Sequence, residues 1–138
     1  MKKILLLVTG LVLVIACNND DDNQTVVDGT ILGEWALMEV LADPGDGSGT
    51  FQPVQSNKTL TFNSNGEVTS NGNICTINDE TTVATNGTYS EDNHTITGNC
   101  SFAAYPITYE IDADDNLILN HPCIEACGEK YVRIIQDF

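Results

Sequence analysis

Five cysteines and two histidines are the side chains of this 138-residue chain best suited to chemistry. Cys75, Cys100, Cys123 and Cys127 all fall in its second half. In an exported domain an even set of four reads as two disulfides, with three connectivities open. By chain entropy, Cys123–Cys127 would stabilise by roughly 2 kcal/mol and Cys75–Cys100 by roughly 3.5 kcal/mol. A four-cysteine zinc site uses tighter paired spacings than these. His94 sits at a turn, and His121 stands beside Pro122 and Cys123. Ser101, next to Cys100, has no base placed against it, so nucleophile, base and orienter do not assemble. No enzyme and no catalytic residue is expected. Asp43 and Asp46 lack EF-hand spacing and a terminal Glu, and a plain flexible loop is expected there. The acids from Asp112 to Asp115 are accounted for by turn propensity. Neither a metal nor a cofactor is expected.

The fifth cysteine, Cys17, stands apart. Lys2 and Lys3 precede an apolar run from Ile4 to Ala16. That run is too short for a transmembrane helix, which needs about 20 residues, and suits a secretory signal. Val14-Ile15-Ala16-Cys17 resembles the lipobox of bacterial lipoproteins, in which the cysteine takes a diacylglycerol and becomes the acylated first residue. The resemblance implies a signal peptide over 1–16, an acidic tether over 17–28 and a folded domain over 29–138. The tether has no apolar residue before Val26, too little to bury on folding. Asp20-Asp21-Asp22 reads as a solvated spacer; it is also similar to the surface-export signal of Bacteroidota lipoproteins. The implied location is the outer membrane, facing either the periplasm or the cell surface. Three acyl chains exceed the two signals that stable anchoring takes, so the membrane is contacted through the N-terminal lipid.

Without residues 1–16 the chain keeps three cations, Lys58, Lys130 and Arg133, against all 20 acids, a formal charge of −17. Such a balance argues against nucleic acid, whose phosphates need basic contacts. It argues equally against electrostatic docking on anionic lipid.

The rest of the chain reads as eight short strands: 33–41, 58–62, 67–72, 85–90, 94–98, 106–112, 117–120 and 129–135. Leu60 and Phe62 alternate with Thr59 and Thr61, one face in and one out. Asn65-Gly66 is the strongest hairpin signal, because both residues tolerate positive φ. No amphipathic helix of any length stands out. The pattern predicts an all-β, eight-stranded up-and-down antiparallel meander closed into a barrel. Even-numbered connections are tight and odd-numbered ones long, so one end is expected to be pinched and the other open. The four C-terminal cysteines all lie in long loops, where any pairing would brace the open rim.

Gly33-Glu34-Trp35 resembles the lipocalin Gly-x-Trp motif at the start of the first strand. The whole pattern, with Cys-Ile-Glu-Ala-Cys-Gly-Glu-Lys-Tyr before the last strand, is similar to small lipocalin-like lipoproteins of Bacteroidota. The resemblance implies that Trp35 packs at the closed end against Arg133, the only arginine. It also implies a small apolar or amphipathic ligand in the barrel mouth. Leu37, Leu60, Phe62, Tyr89, Tyr109 and Leu117 are the candidate lining, with the tyrosine hydroxyls as polar groups. Eight strands enclose either one small ligand or only side chains. The alternative is therefore a filled barrel, an interaction or structural subunit of a cell-envelope assembly working through its loops.

Mass spectrometry of membrane-purified protein is expected to find acyl mass on Cys17. A Cys17→Ala variant should leave the detergent phase; full retention there would contradict the lipid anchor.

Overall fold

The computed structural model describes residues 29–101 and 105–135. The signal, the tether and Cys17 lie outside the described residues. Nine strands form, and no helix does among those residues: β1 (Gly33–Ala42), β2 (Gln52–Pro53), β3 (Thr59–Phe62), β4 (Glu67–Ser70), β5 (Thr85–Ser90), β6 (Thr95–Gly98), β7 (Ile107–Ile111), β8 (Asn116–Asn120) and β9 (Cys127–Arg133). β1 pairs antiparallel with β3, each strand from β3 to β8 pairs antiparallel with the next, and β9 returns to β1. The result is the closed eight-stranded lipocalin-like barrel that the alternation predicts, with one strand added. The extra strand is β2, a two-residue piece of the first long loop that pairs with Glu39 and Val40 of β1.

The seam depends on a bulge. Trp35 and Leu37 face Arg133 and Tyr131, whereas Glu39 faces Lys130, leaving Met38 without a partner on β9. A one-residue bulge reverses the faces beyond it. Val40 therefore packs on the core, and Glu39 stays outside, 3.5 Å from Lys130 Nζ. Met38 turns outward, and its carbonyl accepts the Val54 N–H that holds β2 in place.

Two strands differ from the sequence reading by two residues at one end or both, and the other strand ends agree to within one residue. The last strand spans 127–133 rather than 129–135, because Cys127 and Gly128 still pair with Ala42 and Leu41. The strand expected to reach Gly72 stops at Ser70, whose hydroxyl accepts the Gly72 N–H and turns the chain.

At the narrow end, each tight turn uses one residue in the left-handed region: Gly66 (φ 83°), His94 (φ 50°) and Asp115 (φ 58°). In the first turn the Asn63 carbonyl accepts the Gly66 N–H, and Asn63 N–H is bonded to Glu67. Glycine alone takes the positive φ there; Asn65 instead accepts the Glu67 N–H with its side chain. The segment Gly29–Leu32 crosses this end. Ile31 is buried, and its carbonyl accepts the Trp35 indole N–H at 2.8 Å. The Arg133 guanidinium lies 4.1 Å from the Trp35 ring centroid. It donates to the Leu32 and Thr30 carbonyls and to Asp115, Nε to Oδ2 at 2.9 Å.

Arg133→Ala should lower unfolding stability by at least about 2 kcal/mol, the size of a desolvated cation–π contact. Arg133→Lys should restore only part, since an ammonium cannot present the planar fork. Urea denaturation curves of the two variants measure this.

Candidate functional site

Residues Glu129, Lys130 and Tyr131 alternate across β9, and alternation puts Glu129 and Tyr131 on the inner face. Both are fully buried. Lys58 precedes β3 in phase with Leu60 and Phe62 and is fully buried too. Its Nζ lies 2.7 Å from Glu129 Oε1. The other oxygen, Oε2, accepts the Tyr131 hydroxyl at 2.8 Å and lies 3.3 Å from His121 Nε2. The His121 side chain is only 2% exposed, and its Nδ1 is buried with no protein partner among the described residues. The His121 ring thus serves Glu129. Burial pushes the Glu129 carboxyl up, but the His121 hydrogen bond and the Lys58 charge outweigh it and hold its pKa below the ordinary value. Burial, together with the Glu129 charge beside it, raises the Tyr131 phenol well above its usual range, so it stays a donor.

This cluster anchors a cap. The loop over residues 71–84 folds back across the wide end and inserts Ile74, fully buried, into the core cluster. The Asn78 carbonyl accepts from Lys58 Nζ at 3.1 Å, and its N–H donates to Glu129 Oε1 at 3.3 Å. The Ser56 hydroxyl donates to the Asp79 carbonyl, and the Thr85 hydroxyl accepts the Ile74 N–H. Cys75 is bonded to Cys100, just past β6, and Cys123 to Cys127. Of the three connectivities open in the sequence, the fold selects the one that ties the cap to the end of β6 and closes the Cys123–Cys127 loop on itself. The end expected to be open is therefore covered.

The candidate lining residues lie inside. Leu37, Leu60, Phe62, Tyr109 and Leu117 are buried in one cluster with Trp35 and Tyr131, and Tyr89 packs against it. None of the five principal cavities among the described residues is lined by Leu37, Leu60, Phe62, Tyr89 or Leu117. The tyrosine hydroxyls are spent on the narrow end: Tyr89 donates to the Asn63 carbonyl and Tyr109 to that of Ser90. Phe62 meets Tyr89 edge-on at 5.2 Å.

The space at the wide end lies beside the cap. A cleft of about 620 Å³ runs between the loop over 71–84, the ends of β5, β6 and β7, and Pro122. The Cys75–Cys100 disulfide forms part of its wall, and the buried Ile107 lies among its lining. A smaller groove of about 250 Å³ runs between Phe51 and the Cys123–Cys127 loop. The first long loop is organised by Asp43, whose carboxylate accepts the N–H groups of Gly45, Asp46, Gly47 and Gly49. These bonds hold the Asp43 carboxyl below its usual pKa. No group of three metal-ligating side chains occurs among the described residues.

Comparison with protein families, with curated proteins and with solved structures finds no match to this chain.

Lys58→Met should cost about 3–5 kcal/mol, because it strands a buried carboxylate. Adding Glu129→Gln should cost less than the sum of the two single changes. A carboxyl with a depressed folded pKa stabilises above its unfolded value and loses that contribution as pH falls through the folded one. Stability is thus expected to drop below about pH 4.5, the ordinary value for this group, and Glu129→Gln to flatten that acid limb. Urea titrations across pH measure both effects.

Proposed function

We propose that the chain is a lipid-anchored, extracytoplasmic barrel that binds at its wide end, with Cys17 as the anchor and the barrel axis as scaffold. One observation carries this reading. The axis is packed with buried side chains and capped by residues 71–84, while the cleft of about 620 Å³ lies outside that cap. The ligand of this reading is small and amphipathic and sits in the mouth. Leu37, Leu60, Phe62, Tyr89, Tyr109 and Leu117 are the packing that holds the mouth in shape. The protein is not an enzyme in this reading, since the acid and base groups Glu129, His121, Lys58 and Tyr131 are buried and engaged with one another. Residue 29, where the described chain begins, leads into the narrow end. A tether from Cys17 would then point the wide end away from the outer membrane, towards the periplasm or the medium. The charge of −17 keeps nucleic acid out of the list of partners.

A second reading, an interaction subunit, is favoured by three exposed apolar side chains. Val83, Tyr105 and Ile124 are 58%, 72% and 101% exposed, and each sits on a different long loop of the wide end.

Native mass spectrometry of protein purified from its host membrane separates the two. A small molecule released on unfolding is the expected result. Protein without one, together with a cross-link from position 124 to a second polypeptide, would favour the interaction subunit.

A further inference from the structure

We propose that the mouth cleft takes a neutral saccharide: a ligand rich in hydroxyls that also offers an apolar face. This deepens the mouth-binding reading and rests on it. The domain over 29–138 carries three cations against 16 acids, yet among the described residues the cleft lining contains no Asp, Glu, Lys, Arg or His. A charged ligand would find no counter-ion there, and an anionic one would meet the repulsion of the whole domain. The polar groups of the lining are amides and hydroxyls. Asn73 spends its Oδ1 on the Cys75 N–H, which leaves its Nδ2 donors for a ligand. The side chains of Asn99 and Ser101 make no hydrogen bond to other described residues, and both residues are exposed. Amides and hydroxyls that both donate and accept match sugar hydroxyls, which do the same.

The apolar half of the argument is Tyr105. Its ring borders the cleft and is 72% exposed. An aromatic ring with one polar tip suits a ligand that is apolar on one face and wet at its edge. Ile107 and Pro122 add apolar surface beside these polar groups. The wall is fixed before any ligand arrives. The Cys75–Cys100 bridge packs on Gly98, where a Cβ would stand 2.7 and 2.8 Å from the two sulfurs. Thr85 holds the neighbouring loop by donating to the Gly72 carbonyl while accepting from Ile74. A wall already ordered costs less on binding.

The test is calorimetric and ligand-observed NMR titration of the full mature chain with three sets of ligands. These are neutral oligosaccharides (gluco-, manno- and N-acetylglucosamine series), sulfated or sialylated oligosaccharides, and a medium-chain fatty alcohol. At least one neutral series is expected to bind, with little dependence on salt. Tyr105→Ala should weaken it by about tenfold, and Asn99→Ala should weaken it as well. Both side chains are exposed, so circular dichroism and thermal melting should be unchanged, and Ile124→Ser should leave binding intact. Binding of the acidic or the alkyl set alone would overturn the saccharide assignment but keep the mouth as the binding end. Neutral binding indifferent to both Tyr105→Ala and Asn99→Ala would overturn the cleft. No binding in any set at millimolar ligand would overturn the assignment, while the native mass spectrum decides separately whether the mouth binds anything.

Discussion

A single buried carboxylate holds the wide end of this barrel together. Glu129 takes hydrogen bonds or charge from Lys58, Tyr131, His121 and the Asn78 backbone, and these groups come from four separate parts of the chain. A charge out of water is tolerated only when its lone pairs are filled and an opposite charge is near. Meeting that demand draws the start of β3, the end of β8 and the loop over 71–84 towards the inner face of β9. The cap is then a consequence of charge burial as much as of apolar packing. Ile74 supplies the apolar contact, Asn78 the polar one, and the Cys75–Cys100 bridge fastens the far side.

The same strand organises the other cations. Lys130 pairs with Glu39 on the outside of the seam, and Arg133 pairs with Asp115 at the narrow end. With Lys58–Glu129, each cation of the described residues has a carboxylate partner, and in every pair one member sits on β9. The closing strand is thereby stapled at both ends and in the middle. The surplus negative charge is left to the loops and the outer face. It acts on solubility and long-range encounter rather than on the fold. Asp115 shows how cost and gain meet locally. It adopts a left-handed φ that side chains rarely take, and from there its carboxylate receives the Arg133 fork.

A barrel filled along its axis leaves open space only at its surface. Core side chains that touch on all sides leave no volume for a guest. The wide end offers a cleft beside a disulfide, a groove beside Phe51, and exposed apolar tips on three loops. These features sit on loops, but the cap, the bridges and the Asp43 network tie those loops to the sheet.

The sequence by itself determined the architecture. Period-two alternation, as in Leu60 and Phe62, fixes which faces turn inward, and turn residues such as Gly66 and Asp115 fix where strands reverse. Tight and long connections then assign each loop to an end. These are local effects, settled within a few residues. The buried cluster was half legible: Lys58 is in phase with Leu60, and Glu129 with Tyr131, so the pattern already points both charges inward. Their partnership spans 71 residues, and only barrel closure brings such distant positions together. The bulge at Met38, the added strand β2, the choice among three disulfide pairings and the fold-back of residues 71–84 are of the same kind. Each is set by competition among long-range contacts. Whether the barrel is hollow or solid was beyond the sequence for a plainer reason: Leu37, Leu60, Phe62 and Leu117 line a cavity or fill a core with the same chemistry, and only their packing in three dimensions distinguishes the two.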